Sequence, residues 1–235
     1  MSFAPFEALA ARLLPLVEQG GDGSHDLSHL ARVWANARAI AAEAGGDGEL
    51  LAASVLLHDC VAVEKSSPLR AHASRLAAER ARAILADLGW PADRVAAAVH
   101  AIAAHSFSAG IAPETLEARI LQDADRLEAI GAIGVARCFY TAGRMGSGLY
   151  DADDPRAERR ALDDRRFAID HFRTKLLTLE GGFQTAAGAR LARERTQVVA
   201  DFLTAFEAEI GFSTASNTGS DSMLVQFGRS MTGIQ

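Results

Sequence analysis

Residues 47–59 read DGELLAASVLLHD, and they indicate the fold more clearly than any other stretch of the chain. Ala and Leu dominate it, and both are strong helix formers with little side-chain entropy to lose. No residue between Leu50 and Leu57 is charged, so we expect a helix that is buried on all sides. His58 and Asp59 end this helix. An ionised carboxylate is costly to bury without a partner, so the pattern predicts a cation or several donors beside Asp59.

Helical periodicity continues on both sides of this stretch, with short breaks at Gly, Pro and Ser, and no segment alternates with period two. We therefore expect an all-α protein, a helical bundle in one domain over residues 1–211. Residues 212–235 are rich in Ser, Thr, Gly and Asn, which predicts a flexible tail. The other predicted helices have the approximate bounds 5–18, 26–44, 71–88, 91–105, 113–142, 162–179 and 185–210. Residues 143–160 are expected to be irregular.

The composition limits the partners that the chain can have. Hydrophobic residues make up 49% of the 235 residues, enough for a substantial core. The net charge of −6 disfavours an extended nucleic-acid groove, which needs clustered Lys and Arg, but leaves a small anionic substrate open. Cys60 and Cys138 lie far apart, as expected for a reducing cytosol. No apolar run approaches the roughly 18–20 residues that span a bilayer, so we expect a cytoplasmic protein without a membrane segment; homo-oligomers are compatible with the sequence.

Candidate metal ligands lie on three different predicted helices: His29, the pair His58 and Asp59, and one or both of Asp123 and Asp125. Ligands that converge from facing helices are what a metal site in a bundle core requires. Imidazole combined with carboxylates suits Mn, Fe, Co, Ni or Zn better than Mg or Ca. His29 on its own is also compatible with an ordinary hydrogen-bonded histidine. For Asp59 the alternative is an internal ion pair with an arginine such as Arg32.

These residues and their neighbours resemble the HD superfamily of metal-dependent phosphohydrolases. The strings that carry the resemblance are HLARV at 29–33, LLHD at 56–59 and ADRL at 124–127. Two longer strings, AIAAHSFS at 101–108 and QDADRLEAIG at 122–131, resemble a bacterial subfamily of uncharacterised HD hydrolases, and the similarity continues through LDD at 162–164 and DHF at 170–172. The resemblance implies a helical bundle with additional C-terminal helices, in which His29, His58, Asp59 and Asp125 bind one metal.

The residues themselves leave a choice between the two distal aspartates. Positions two apart on a helix differ by about 200°, so Asp123 and Asp125 cannot face the same point. The resemblance favours Asp125, because it precedes Arg-Leu. Asp123, however, falls on an apolar stripe at helical spacing. It is retained as an alternative ligand or as a residue behind the ligands.

A second metal and a set of phosphate contacts are further expectations. Several HD proteins build a dinuclear site with two more histidines between the His-Asp pair and the distal Asp, and His72 and His105 lie in that interval. Lys65 and Arg70 follow the His-Asp pair in a predicted loop. With His105 they are candidates to balance charge on a phosphoryl group, although a solvated loop explains both cations equally well.

The expected activity is metal-assisted hydrolysis of a small phosphate ester or anhydride, with a nucleotide as the favoured substrate. A bound divalent metal lowers the pKa of water to about 7, and Asp59 or Asp125 would orient that water. One alternative is a dinuclear iron oxygenase of the HD type. Another is a nucleotide-binding regulatory module without catalysis. Trp34 and Phe107 are the candidates for stacking on a base, but core positions are favoured for both.

Overall fold

The structure, a computed structural model, describes residues 2–17, 27–63, 69 and 72–211. The described residues form helices connected by turns, and their only strand-like feature is an isolated bridge between Gly148 and Phe167. The prediction of an all-α fold is confirmed. The helices are α1 Glu7–Leu13, α2 Leu27–Ala44, α3 Gly48–Leu57, α4 Ala73–Asp87, α5 Ala92–Ala104, α6 Leu116–Arg126, α7 Gly131–Met145, α8 Ala168–Thr174 and α9 Ala186–Glu209.

The uncharged helix of residues 47–59 is the centre of the bundle. In α3 every side chain from Leu50 to Leu57 is buried, because the helix packs against α1, α2, α5 and α6. The helix begins at Asp47, whose carboxylate accepts a hydrogen bond of 3.0 Å from the backbone N–H of Leu50. Such a cap satisfies one of the free N–H groups of the first turn. The next residues, His58 and Asp59, are thereby held at the end of a rigid, fully packed element.

The predicted continuous helix over residues 113–142 is wrong. The α-helical segment α6 ends at Arg126, a 3-10 turn covers Leu127–Ala129, and α7 begins at Gly131. Gly131 has a φ of +73°, which L side chains rarely adopt. A Cβ on this residue would also lie 3.1 Å from Cγ of Arg195 in α9. The chain therefore turns at Gly131, and α7 leaves in a new direction.

The predicted helix over residues 162–179 is also shorter than expected. Residues before Ala168 instead pair with the strand-like segment at Gly148, whose N–H donates to Arg166 O at 2.9 Å and whose carbonyl accepts from Ala168 N at 2.9 Å. A buried ion pair fixes this connection, because Arg160 donates to both carboxylate oxygens of Asp170, at 2.5 and 2.9 Å. After α8 the chain continues as a 3-10 segment, Leu176–Gly182. Of residues 143–160, which were predicted to be irregular, 143–145 belong to α7 and 146–160 are irregular.

Helix α9 is the last helix of the described residues and packs against the rest of the bundle. It packs against α7, the 3-10 segment Leu176–Gly182 and α2, and aromatic rings of α7, α8 and α9 stack at this junction, with Phe172 and Phe202 at a centroid distance of 5.6 Å. Within the described residues, no helix is both long enough and apolar enough to cross a membrane. The predicted tail, 212–235, lies outside the described residues.

Candidate metal centre

Three elements bring the predicted ligands together. His29 lies in the first turns of α2, His58 directly follows α3, and Asp125 belongs to the last turn of α6. The two imidazoles are buried, whereas the carboxylates of Asp59 and Asp125 are about one third exposed, at 35% and 30%. The histidines of the cluster therefore lie in the core, and its carboxylates are in contact with solvent.

The facing atoms of the cluster are spaced as ligands of one ion. The Nε2 atoms of His29 and His58 are 3.3 Å apart. Asp125 Oδ1 is 3.5 Å from His29 Nε2, and Asp59 Oδ2 is 3.4 Å from His58 Nε2. With metal–ligand bonds of about 2.1 Å, neighbouring ligand atoms are about 3.0 Å apart in octahedral and about 3.4 Å apart in tetrahedral coordination. These three spacings are close to the two values, whereas the distances from His29 Nε2 to Asp59 Oδ2, 3.8 Å, and from His58 Nε2 to Asp125 Oδ1, 3.9 Å, are longer.

The protonation of the rings also fits a metal. Nδ1 of His58 lies 2.7 Å from the carbonyl oxygen of Val55, which can only accept, so Nδ1 carries the proton and Nε2 of the neutral ring presents a lone pair to the cluster. Burial acts to lower the pKa of His58, but the carboxylates of Asp59 and Asp125 and the bond to Val55 outweigh it and raise the pKa. The carboxylates beside His58 therefore favour a positive charge at this position. Nitrogen and carboxylate donors together suit a divalent transition metal.

His105 approaches the cluster from the end of α5. Its Nε2 lies 3.7 Å from Asp59 Oδ1, the carboxylate oxygen that faces away from His29 and His58. Its Nδ1 lies 2.7 Å from Ile102 O, which leaves Nε2 as the acceptor atom of the neutral ring. Burial, and next the neighbouring His58, lower the pKa of His105. His58, Asp59 and His105 accordingly form a second group of donor atoms within 4.8 Å of one another, beside the group of His29, His58 and Asp125.

Glu128 is a part of the site that sequence analysis missed. Its buried carboxylate lies 3.6 Å from Nδ1 of His29 and accepts a hydrogen bond of 2.6 Å from Arg32 Nε. Burial alone would raise the pKa of Glu128, but the His29 ring 3.6 Å away and the hydrogen bond from Arg32 outweigh burial and lower the pKa. Arg32 therefore pairs with Glu128, and the expected alternative of an ion pair between Arg32 and Asp59 is not what the structure contains.

A second layer of hydrogen bonds connects this carboxylate to the C-terminal helix. Asn36 of α2 donates to Ala124 O at 3.0 Å and to Glu128 Oε1 at 3.4 Å. Arg195 of α9 donates to Asn36 Oδ1 at 2.6 Å and to Leu127 O at 2.8 Å. The residues behind His29 are thus held by α9 as well as by α2 and α6.

The structure separates Asp123 from the cluster. Its carboxylate points toward the start of α9, where it accepts hydrogen bonds from the backbone N–H groups of Gln184, at 2.7 Å, and Thr185, at 2.8 Å, and from the Thr185 hydroxyl. Burial raises the pKa of Asp123 in spite of these donors. Of the two distal aspartates only Asp125 faces His29 and His58, so Asp123 as an alternative ligand is not supported.

Three further residues were predicted to belong to the site: His72, Lys65 and Arg70. His72 is exposed at the start of α4 and belongs to neither donor group, so the structure does not bring it to the cluster. Lys65 and Arg70 lie outside the described residues, and their predicted role as phosphate contacts stays a prediction.

An exposed aromatic side chain follows His105 in the chain. Phe107, two residues after His105, is 63% exposed, and the guanidinium carbon of Arg126 lies 4.2 Å from its ring centroid. The expectation of a core position for Phe107 is therefore wrong. For Trp34 that expectation is right, since its ring is buried and packs edge-on against Phe6 at 5.9 Å.

Comparison with known proteins identifies the family. Residues 26–130 match the HD domain family. They include helices α2–α6 and the candidate metal ligands His29, His58, Asp59, His105 and Asp125, called the metal cluster below. An uncharacterised protein of Bacillus subtilis, YpgQ, is 30% identical over 190 residues, which cover 79% of this chain and 84% of that protein. The chain belongs to the HD superfamily, as the sequence predicted.

Solved structures agree with this assignment. The crystal structure of Bacillus subtilis YpgQ in complex with ADP superimposes with a TM-score of 0.67 at 27% identity, covering 87% of this chain and 94% of that chain. The structure of an HD-superfamily hydrolase from Bacillus thuringiensis gives a TM-score of 0.67 at 26% identity, covering 87% and 95%. The similarity extends through the C-terminal helices, because both matches cover far more of the chain than residues 26–130.

Proposed function

We propose that the chain is a metal-dependent phosphohydrolase that cleaves a small phosphate ester or anhydride, with a nucleotide as its substrate. The observation that carries this proposal is the convergence of His29 Nε2 and His58 Nε2 on carboxylate oxygens that remain about one third exposed. A purely structural metal site is closed by protein ligands, whereas a catalytic one keeps a position open to solvent. The exposure of Asp59 and Asp125 supports the catalytic kind.

The chemistry divides between the metal and the side chains. A divalent transition metal, when bound, activates water and polarises a phosphoryl oxygen. Asp125 and Asp59 are the exposed carboxylates of the cluster, so they would orient the attacking water by accepting its hydrogen bonds. His105 presents Nε2 as an acceptor while its ring is neutral, so it would accept a proton or bind a second cation. Charge on the phosphoryl group would then be balanced by Lys65 and Arg70.

Two observations support a nucleotide as the substrate. The similar Bacillus subtilis YpgQ is described in complex with ADP. In this chain, Phe107 is exposed two residues from His105 and is covered on one side by Arg126, the neighbour of Asp125. Exposed aromatic rings of this kind stack on nucleobases.

Metal analysis together with phosphate release tests the proposal. Protein purified without chelator should contain about one, or with His105 about two, transition-metal ions per chain, and should release phosphate or pyrophosphate from a panel of nucleotides. Asp59→Ala should lose both metal and turnover, while Asp87→Ala, at an exposed position of α4, should keep both. Full activity of Asp59→Ala would refute the assignment. Tight nucleotide binding without turnover in metal-loaded protein would instead indicate a regulatory module.

The second donor group keeps an HD-type oxygenase as the competing function. The two oxygens of Asp59 lie near different imidazole nitrogens, those of His58 and His105, so these residues would be able to hold a second ion. His72, however, does not join this group, which leaves one additional histidine instead of the two expected. Assays without oxygen distinguish the functions, because hydrolysis continues and oxygenation stops.

A further inference from the structure

A cavity of about 360 Å³ lies between α7, α8 and the 3-10 segment that follows α8. Its volume is at the lower end of the range for small-molecule sites. Side chains of Cys138, Ala142, Ala168 and Leu176 give it an apolar wall. None of His29, His58, Asp59, His105 and Asp125 lines it.

The lining of this cavity carries more positive than negative charge. Among the described residues it contains Arg137, Arg165 and Lys175, together with His171 and one carboxylate, that of Asp164. That carboxylate is already occupied, because it accepts a hydrogen bond of 2.9 Å from His171; this bond is the main reason that the pKa of Asp164 is lowered. A local excess of positive charge on a chain with a net charge of −6 marks a place where anions concentrate.

We propose that this cavity binds a small anion, namely a phosphate or pyrophosphate group, free or attached to a short apolar body. Arg137 and Arg165 offer the planar guanidinium groups that bind phosphate oxygens in pairs, and Lys175 offers a point charge. The apolar wall of Cys138 and Leu176 would hold the uncharged part of the ligand. The anion and the wall together select small phosphorylated molecules over bare halides and over larger polyanions.

Arg137 connects the cavity to the metal cluster. Its Nη1 donates to the backbone oxygen of Glu128 at 3.3 Å, and the carboxylate of Glu128 lies 3.6 Å from His29 Nδ1. The anion has therefore two sources: a phosphate group of the molecule that the cluster hydrolyses, or a separate molecule that binds behind the cluster. The inference does not rest on the proposed function, because the cations and the wall are there whatever the cluster does.

Calorimetric titration of the full chain with inorganic pyrophosphate tests the site. The protein is first treated with chelator, since without metal the carboxylates of Asp59 and Asp125 repel an anion and the cluster does not compete. Lys175→Met and, separately, Arg165→Met should each weaken binding by about tenfold. Both residues are exposed, so folding should be intact, as thermal unfolding would verify. Arg82→Met, at a half-exposed cation of α4 paired only loosely with Glu79 at 3.5 Å, is the matched control and should bind like the wild type.

Equal affinity of the wild type, Lys175→Met and Arg165→Met, or no binding by the wild type, would overturn the proposal. Nucleotide kinetics of the metal-loaded protein then distinguish the two sources. A raised KM at unchanged kcat in Lys175→Met identifies the anion as part of the substrate, whereas an unchanged KM with lost pyrophosphate binding identifies a separate ligand. Absence of any turnover would contradict the proposed hydrolase and leave the binding result intact.

Discussion

Glu128 lies directly behind His29. Its carboxylate is 3.6 Å from Nδ1, so its negative charge favours the proton on Nδ1 and the lone pair on Nε2. We expect Glu128→Gln to weaken metal binding by about 10- to 100-fold, the usual effect of losing the carboxylate behind a ligating histidine. Competition between the protein and a chromogenic chelator measures this affinity. Glu79→Gln, with a carboxylate 70% exposed on α4, is the control; equal metal affinity of both variants would contradict the role of Glu128.

The clustering of His29, His58, Asp59 and Asp125 could be predicted from the sequence, but Glu128 could not. His58 and Asp59 follow an apolar run. Together with His29 and Asp125, at their spacing along the chain, they form a pattern that is specific for the HD superfamily. Glu128 had one weak signal, because it follows Asp125 by three residues as Arg32 follows His29, and positions three apart share a helix face. That signal becomes meaningful only when α2 and α6 are known to face each other.

Phe107 is the residue whose exposure the sequence failed to predict, and it makes a test of nucleotide binding. If its ring stacks on a base, Phe107→Leu should raise KM for a nucleotide by about tenfold, since stacking contributes about 1–3 kcal/mol per base. KM for inorganic tripolyphosphate, which has no base, should be unchanged, and Phe107→Tyr should behave like the wild type. Steady-state kinetics with both substrates measure the difference. An equal loss for both substrates would mean that Phe107 only supports the local structure.

At the scale of the elements, the helix boundaries depended on contacts that are distant in sequence. Leu116, Ile120, Leu127 and Ile130 form an apolar stripe at helical spacing, and Leu121, Ala124, Ala129 and Ile133 add apolar positions beside it, so periodicity gave no reason to end a helix there. The helix is interrupted by the extended backbone of Ile130 and the positive φ of Gly131, and the side chain of Arg195 in α9 leaves no free space for a Cβ at Gly131. By contrast, α3 was predicted well, because a run of uncharged helix formers needs no partner to be recognised.

Gly131→Ala should destabilise the protein more than a matched glycine substitution elsewhere. Gly89 has a similar φ, +78° against +73°, but a Cβ there meets nothing within 4 Å, whereas at Gly131 it meets Arg195 Cγ at 3.1 Å. Gly89→Ala should therefore cost only the left-handed backbone strain, about 1–2 kcal/mol, and Gly131→Ala about 1 kcal/mol more. Urea unfolding of metal-free protein measures both free energies. Equal values would show that Arg195 moves aside without cost and that φ alone ends the helix.

At the scale of the whole molecule, the site depends on helices beyond the matched family segment. The family match ends at residue 130, yet Arg195 of α9 donates to Asn36 of α2 across 159 positions of sequence, and Asp123 holds the start of α9 through Gln184 and Thr185. The buried pair of Arg160 and Asp170 fixes the connection that leads to α9. Local sequence patterns could not predict these contacts, because each partner on its own resembles an ordinary polar or charged surface residue.

The bundle and the metal cluster should stabilise each other, because the ligands come from α2, from the end of α3 and from α6. An ion that binds only the folded chain stabilises it by about 2.7 kcal/mol at a free concentration of 100 times Kd. For a chain of this size, about 2–4 °C in Tm corresponds to each kcal/mol, so saturating Mn²⁺ should raise Tm by about 5–10 °C over chelator-treated protein. Asp59→Ala should lose most of this shift, because the variant lacks one of the proposed ligands. Thermal unfolding followed by circular dichroism measures all four states. A shift of equal size in Asp59→Ala would place the stabilising ion elsewhere in the molecule.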